Sequence, residues 1–303
     1  MARFNQKWFA RNIAFPRCFY FMRLARLDKP IGSYLLLWPT LTALWLASKG
    51  WPGWHLFLVF TLGTLLTRSA GCVVNDIADR KFDGLVKRTM DRPIAKGDVK
   101  VSEALIFAAL LCLLALLLVL STNVNTIILA TLGAVVAGIY PYMKRYIYMP
   151  QIILGIAFSF GIPMGFTAVN SDVSKLTGLL FIANIIWTVS YDTEYAMVDR
   201  DDDLKLGLKS SAILFSELDR LIIGALQIFF LSSLLLIWKI AELHWPFLIG
   251  VAISVGLFLY QQFLIKNRER NRCFQAFLNN HWVGLALFLA VAIDLFLYPE
   301  GVI

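Results

Sequence analysis

The sequence of residues 54–83 is WHLFLVFTLGTLLTRSAGCVVNDIADRKFD, an apolar run that leads directly into an acidic stretch. The apolar part is about as long as the roughly 20 residues that a helix needs to cross a bilayer. If the helix continues, Asn75, Asp79 and Asp83 share one face, because residues four apart overlie one another in an α-helix. The stretch therefore predicts a row of oxygen-bearing side chains where a membrane helix meets water.

A second acidic stretch follows another apolar run later in the chain. Residues 191–203 are YDTEYAMVDRDDD, in which Tyr195, Asp199 and Asp203 repeat the spacing of the first row. Carboxylate and amide oxygens are the ligands that Mg²⁺ prefers, and water and substrate phosphate commonly complete its coordination. Two such rows at matching helix ends indicate divalent metal ions held between them. The predicted Mg²⁺ ligands are Asn75, Asp79, Asp83, Asp199 and Asp203.

The composition is typical of a membrane protein. The 303 residues are 59% hydrophobic and 16% charged, with a mean hydropathy of +0.69, whereas soluble domains are about 45–50% apolar and about 25% charged. We predict an all-α polytopic membrane protein with nine transmembrane helices. The predicted spans are 31–48, 54–75, 102–121, 124–142, 149–169, 176–198, 212–237, 246–265 and 281–298.

Positive charge is distributed unevenly between the predicted loops. Residues 1–30 are basic and interleaved with aromatic residues, which is typical of an amphipathic helix on the membrane surface, and residues 31–303 form a single transmembrane domain. With the N-terminus in the cytoplasm, the outside loops hold only Lys49, Lys175 and Lys239 of the 28 Lys and Arg residues. Because cytoplasmic loops are rich in Lys and Arg, both acidic stretches lie on the cytoplasmic side. The net charge of +8 therefore needs no nucleic-acid partner.

Cations suited to phosphate oxygens follow both acidic stretches, and two more lie on a third cytoplasmic turn. They are Lys87, Arg88 and Arg92, then Lys205 and Lys209, then Lys144 and Arg145. A lipid tail could lie among the apolar spans while its diphosphate head meets the metal. The pattern predicts loss of a metal-bound diphosphate from an allylic lipid, with capture of the resulting carbon by an electron-rich acceptor. The metal ions would offset the charge of the leaving group.

The two acidic stretches and their flanks resemble the signatures of the UbiA-type intramembrane prenyltransferases. The first resemblance runs from Gly71-Cys72-Val73-Val74-Asn75-Asp76 to Lys87-Arg88-Thr89 and Arg92-Pro93. The second runs from Tyr191-Asp192-Thr193 to Gly207-Leu208-Lys209-Ser210. The runs YPYMKR at 140–145 and LDKPIG at 27–32 are similar to those of members that act on 4-hydroxybenzoate.

The resemblance implies an all-helical bundle of nine spans around a central cavity in a bacterial inner membrane, with no obligate protein partner. It implies Mg²⁺ as cofactor, and polyprenyl diphosphate and 4-hydroxybenzoate as substrates, with prenylation ortho to the hydroxyl in ubiquinone biosynthesis. Asp79, Asp83, Asp199 and Asp203 would be catalytic. For the acceptor carboxylate Arg145 is the first choice, with Arg23 and Lys29 behind it. The acids Asp76, Asp192, Asp201 and Asp202 lie off the two rows and are expected to support the ligands or face solvent.

Other functions stay open at this point. A member of the same family could use a naphthoate, haem or a glycerol phosphate as acceptor. A CDP-alcohol phosphotransferase expects Asp-Gly-x-x-Ala-Arg, and Asp83-Gly84-Leu85-Val86 does not continue in that way. A cation transporter predicts charges deep inside spans, whereas both acidic stretches lie at span ends. Arg68 is the exception within the second span, and snorkelling, an internal ion pair and a role in the site all remain possible for it.

Overall fold

The structure is a computed structural model, and it describes residues 16–86, 88–143, 145–170 and 172–299. The predicted phosphate-binding residues Lys87 and Lys144 lie outside the described residues, as does the first half of the basic N-terminal segment. The described residues form α-helices and short 3₁₀ turns, with no strand among them. The helices are α1 Pro16–Leu24, α2 Ile31–Ser48, α3 Gly53–Asp79, α4 Pro93–Lys96, α5 Val101–Val119, α6 Val124–Met143, α7 Pro150–Ser159, α8 Gly161–Asn170, α9 Lys175–Leu206, α10 Ser211–Phe215, α11 Asp219–Ile240, α12 Trp245–Leu264 and α13 Arg270–Leu297.

Each predicted span coincides with a helix or with two consecutive helices. The fifth span consists of α7 and α8, and the seventh of α10, a 3₁₀ turn and α11. Eight of these stretches in the described ranges are long and apolar enough to cross a membrane. The exception is α9, because polar residues such as Asn184, Asp192 and Glu194 interrupt its apolar sequence. The chain is therefore an integral membrane protein, and the count of nine spans stays a prediction.

The long helices pack as a closed ring. Neighbours contact one another in the order α2, α3, α6, α7 with α8, α9, α11, α12 and α13, and α13 returns to α2. A narrow, mostly apolar cavity lies inside this ring, lined by side chains that include Trp187, Phe230 and Leu287. Outward-facing apolar side chains such as Leu105 and Phe229 remain exposed, as lipid contact requires. The fold thus provides an apolar interior and an apolar exterior.

The basic N-terminal segment is attached to the bundle at its described end. Leu24 of α1 is fully buried in a cluster with Val73 of α3 and Ala104 of α5. The Phe21 and Phe107 rings also meet edge to face, with centroids 5.0 Å apart. These contacts place α1 beside the end of α3 that carries the first acidic stretch.

Candidate active site

The first acidic stretch begins on the last turns of α3. Asn75 and Asp79 are partly exposed there, and the Asn75 side-chain amide donates a hydrogen bond of 3.3 Å to Asp79 Oδ2. The helix ends at Asp79 and does not continue to Asp83, which instead begins a 3₁₀ turn, Asp83–Leu85. The continuous row of Asn75, Asp79 and Asp83 is therefore not formed. The physical reason is that Thr89 and Arg92, from the following loop, bind the main-chain oxygen and the carboxylate of Asp83.

The position of Asp83 is fixed by an ion pair as well as by the 3₁₀ turn that it begins. Arg92 Nη1 lies 2.9 Å from both carboxylate oxygens of Asp83. Burial raises the pKa of Asp83, and repulsion from Asp76 and Asp79 acts in the same direction, while the Arg92 guanidinium opposes both. Asp83 therefore leaves the helix face but stays within electrostatic range of Asp79.

The second acidic stretch is fully helical, as predicted. Because α9 continues to Leu206, Asp199 and Asp203 share one face, and both are buried. Arg88 binds Asp199 in a bidentate pair, with Nε 2.9 Å from Oδ1 and Nη2 2.6 Å from Oδ2. Its guanidinium also lies over the Tyr195 ring, 4.8 Å from the ring centroid.

Arg88 connects the two acidic stretches. It belongs to the loop after α3, but its carboxylate partner is on α9. Burial opposes the charge on Arg88, yet its interactions with Tyr195, Asp199 and Asp83 outweigh burial and raise its pKa. The two acidic stretches, far apart in sequence, are thus on the same side of the bundle and share one charged cluster.

Asp76, which the sequence placed off the two predicted rows, is buried in contact with Arg92, the partner of Asp83. It is 1% exposed, and it accepts hydrogen bonds of 2.7 and 2.9 Å from Arg26. Arg92 Nη1 lies 3.1 Å from the same carboxylate, so Arg92 joins Asp76 to Asp83. Sequence reasoning missed Arg26, whose positive φ of 58° forms part of the turn between α1 and α2. No periodic pattern in the sequence identifies such a partner.

Arg145 lies at the edge of this cluster. Its Nη2 donates a hydrogen bond of 2.9 Å to the Ala78 carbonyl and lies 3.9 Å from Asp79 Oδ1. The guanidinium also contacts the rings of Phe82 and Tyr142. These contacts hold Arg145 against the end of α3.

The other predicted cations make different contacts. Lys209 donates a hydrogen bond to the Tyr146 carbonyl, and Arg23 donates one to the Asp91 carbonyl. Lys29 is exposed at the turn before α2. Among the predicted cations that the structure describes, Arg88, Arg92 and Arg145 are the ones it brings into contact with the acids of the first stretch or α9.

The predicted ligands are of the chemical type that binds Mg²⁺. All five predicted ligands offer oxygen atoms, which this hard cation prefers. Across the described ranges, no three His, Cys, Asp or Glu side chains are close enough together to hold a metal ion. Arginines also occupy the carboxylate oxygens of Asp83 and Asp199 that a metal ion would need. Binding of Mg²⁺ would therefore require these arginines to exchange partners.

A ring of apolar helices that closes on a cluster of carboxylates and arginines is the architecture of an intramembrane enzyme acting on a lipid with a charged head. The chain belongs to the UbiA prenyltransferase family, whose sequence model matches residues 36–292.

Curated relatives are similar to the chain over almost its whole length. A 4-hydroxybenzoate octaprenyltransferase from Pseudomonas fluorescens (strain Pf0-1) is 53% identical over 92% of this chain and 94% of its own. The protein of the same name from Colwellia psychrerythraea is 49% identical, covering 97% and 99%. The one from Escherichia fergusonii is 54% identical, covering 90% and 94%.

Solved structures share the fold. A UbiA homologue from Aeropyrum pernix K1 superposes with a TM-score of 0.77, at 21% identity, over 87% of this chain and 98% of its own. A UbiA homologue from Archaeoglobus fulgidus bound to GPP and Mg²⁺ gives a TM-score of 0.70 at 17% identity, over 90% and 99%. The all-helical fold that the sequence resemblance implies is confirmed by these neighbours.

Proposed function

We propose that this enzyme transfers a polyprenyl group from polyprenyl diphosphate to the ring carbon ortho to the hydroxyl of 4-hydroxybenzoate, releasing diphosphate. The product would enter ubiquinone biosynthesis. The observation that carries the proposal is the shared charged cluster, in which Arg88 links the loop after α3 to Asp199 of α9. The relatives of about half identical sequence, all named for transfer to 4-hydroxybenzoate, support the choice of acceptor.

The predicted metal ligands and the arginines near them have different roles in this proposal. The oxygens of Asn75, Asp79, Asp83, Asp199 and Asp203 would hold Mg²⁺. When bound, the ion supplies positive charge that offsets the negative charge developing on the leaving diphosphate. Arg88 and Arg92 would bind phosphate oxygens, for which the guanidinium fork is well suited, and Arg145 would bind the carboxylate of the acceptor.

The apolar ring would hold the prenyl tail. The cavity between α2, α8, α9, α11 and α13 is lined almost entirely by apolar side chains, among them Trp187, Phe230 and Leu287. Such a lining suits an apolar tail, because it presents few polar groups that burial of the tail would leave unpaired. The acceptor hydroxyl donates electron density to its ring, so the reaction demands no strong base, and a carboxylate or diphosphate oxygen could take the ring proton.

The direct test is prenyl transfer in membranes that contain the chain. With radiolabelled 4-hydroxybenzoate and octaprenyl diphosphate, we expect a lipid-soluble labelled product with Mg²⁺ and a loss of at least about 100-fold when EDTA replaces it. Membranes without the chain are the control. Equal product with EDTA would contradict the metal requirement. Product from a naphthoate but not from 4-hydroxybenzoate would contradict the acceptor.

We also propose that the protein lies in the bacterial inner membrane with its charged cluster in the cytoplasm. A reporter fused after Tyr298 is then expected on the periplasmic side, because nine spans place the two termini on opposite sides. Fusions at Lys96 and at Thr122, which both precede α9, serve as cytoplasmic and periplasmic controls. A cytoplasmic signal from the C-terminal fusion would mean that α9 does not span the membrane, or that another span is wrong.

A further inference from the structure

The turn between α1 and α2 supplies a cation to the charged cluster. Arg26 lies in this turn, and its main-chain N–H and its Nη1 both donate hydrogen bonds to the Arg23 carbonyl in the last turn of α1. Its Nη2 reaches Asp76 on α3, at 2.7 Å from Oδ1 and 2.9 Å from Oδ2. The guanidinium of Arg26 is thus fixed between the end of α1 and the acidic end of α3.

Asp76 is buried between two cations. Its side chain is 1% exposed, whereas those of Arg26 and Arg92 are 23% and 15% exposed. Arg92 Nη1 lies 3.1 Å from Asp76 Oδ1, the same oxygen that Arg26 contacts. Removing every cation from a buried carboxylate is strongly destabilising, because the charge is then uncompensated. Asp76 therefore has two cationic partners, one more than its charge requires.

Arg92 has two carboxylate partners, and one of them is a predicted Mg²⁺ ligand. The same Nη1 atom contacts Asp76 and both oxygens of Asp83. Both carboxylates have to release Arg92 if it is to bind a phosphate oxygen while Asp83 binds the metal ion. At Asp83 the ion itself would replace the lost positive charge. At Asp76, among the described residues, the cation that remains in contact is Arg26.

We propose that Arg26 is a positioning residue that keeps Asp76 paired while Arg92 moves to the diphosphate, a role that rests on the proposed function. With Arg26 in place, the charge of Asp76 is balanced both before and after Arg92 leaves. Without Arg26, the same movement would leave a buried carboxylate unpaired, so Asp76 would retain Arg92. Arg26 acts on substrate binding through Asp76 and Arg92, without touching the substrate.

The first experiment is Arg26→Met, assayed with both substrates varied. The KM for polyprenyl diphosphate should rise roughly 10- to 100-fold, the range expected for loss of a hydrogen bond between charged groups. The kcat and the KM for 4-hydroxybenzoate should stay within about threefold of wild type, since Arg26 contacts neither the acceptor nor the reacting atoms. A fall in kcat or in the amount of protein, with both KM values unchanged, would overturn the proposal.

Adding Asp76→Asn separates this role from a purely structural one. Asn carries no charge that would retain Arg92, so the double variant Arg26→Met/Asp76→Asn should bring the KM for polyprenyl diphosphate back to within about threefold of wild type. If Arg26 merely attached α1 to the bundle, the second change would leave the KM raised or raise it further. That result would rule out the proposed exchange.

A binding measurement does not depend on turnover. Purified protein is titrated with inorganic diphosphate in the presence of Mg²⁺, and Arg26→Met should raise the Kd at least about tenfold, while the double variant restores it. Asp76→Asn alone should bind diphosphate no more weakly than wild type. This variant keeps the size of the side chain and decides the matter if Arg26→Met does not accumulate. A Kd raised about tenfold by Asp76→Asn alone would contradict the role given to this acid.

Arg17→Met is the matched control on the same helix. Arg17 pairs with Glu103 at 3.0 Å, but its side chain is 76% exposed, so both KM values should stay within about twofold of wild type. A folded wild-type protein that neither bound diphosphate nor prenylated 4-hydroxybenzoate would remove the proposed function and this role with it. Normal wild-type activity with an unaffected Arg26→Met would remove the role of Arg26 alone.

Discussion

Replacing Asp199 by Asn is expected to lower the rate of prenyl transfer at least about 1,000-fold while the protein still accumulates in the membrane. Asn keeps the size of the side chain but removes the charge that pairs with Arg88 through both oxygens. Loss of one preorganised group that stabilises transition-state charge costs about 100- to 1,000-fold in well-studied enzymes, and Asp199 would also serve as a metal ligand. The measurement is the initial rate of transfer, normalised to the amount of protein in the membrane.

Asp201→Asn is the matched control for this experiment. Asp201 lies two residues further along the same acidic run, but its side chain is 70% exposed and pairs with Arg270 instead. Transfer by this variant should stay within about twofold of wild type, because exposed ion pairs contribute little. A rate for Asp199→Asn within tenfold of wild type would exclude Asp199 from the chemistry.

Replacing Arg92 by Met is expected to have the largest effect on stability. Arg92 Nη1 lies 3.1 Å from Asp76 and 2.9 Å from Asp83, and all three side chains are largely buried. Removing one partner of a buried ion pair leaves an uncompensated charge and costs about 3–5 kcal/mol. We expect a lower thermal midpoint of the purified protein, less protein in the membrane and loss of transfer.

Two further variants separate stability from function at Arg92. Lys96→Met removes an exposed pair with Asp91 from the same loop and should leave the thermal midpoint nearly unchanged. Adding Asp83→Asn to Arg92→Met removes the carboxylate charge that the first change leaves unpaired, so it should recover part of the stability and none of the activity. Full activity in Arg92→Met would show that this arginine neither holds the loop nor binds substrate.

The helices of this protein follow from local sequence, whereas its charge pairing does not. Apolar runs of membrane length locate each long helix, and the spacing of Asp199 and Asp203 predicts their common face because α9 continues past both. Asp83 departs from this pattern, since the loop after α3 returns Arg92 to its carboxylate. A helical period cannot encode a contact made by a loop.

The ion pairs that join distant segments could not be predicted from the sequence either. Nothing near Asp76 indicates that Arg26, fifty residues earlier, binds its carboxylate. The same holds for Arg88 and Asp199, which are 111 residues apart. The count of spans depends on α9 for a related reason, because its polar residues satisfy interactions inside the bundle that a hydropathy average cannot represent. Trp187 and Glu194, for example, both bond to Asn280.

The bidentate pair between Arg88 and Asp199 also constrains the order of biosynthesis. Chains are made from the N-terminus, and their segments generally fold as they emerge. The first five predicted spans enter the membrane before Asp199 has been synthesised, so the loop after α3 cannot adopt its final conformation at that stage. The amino-terminal half of this protein is therefore an incomplete folding unit, and its charged loop matures only after the carboxy-terminal half has been inserted.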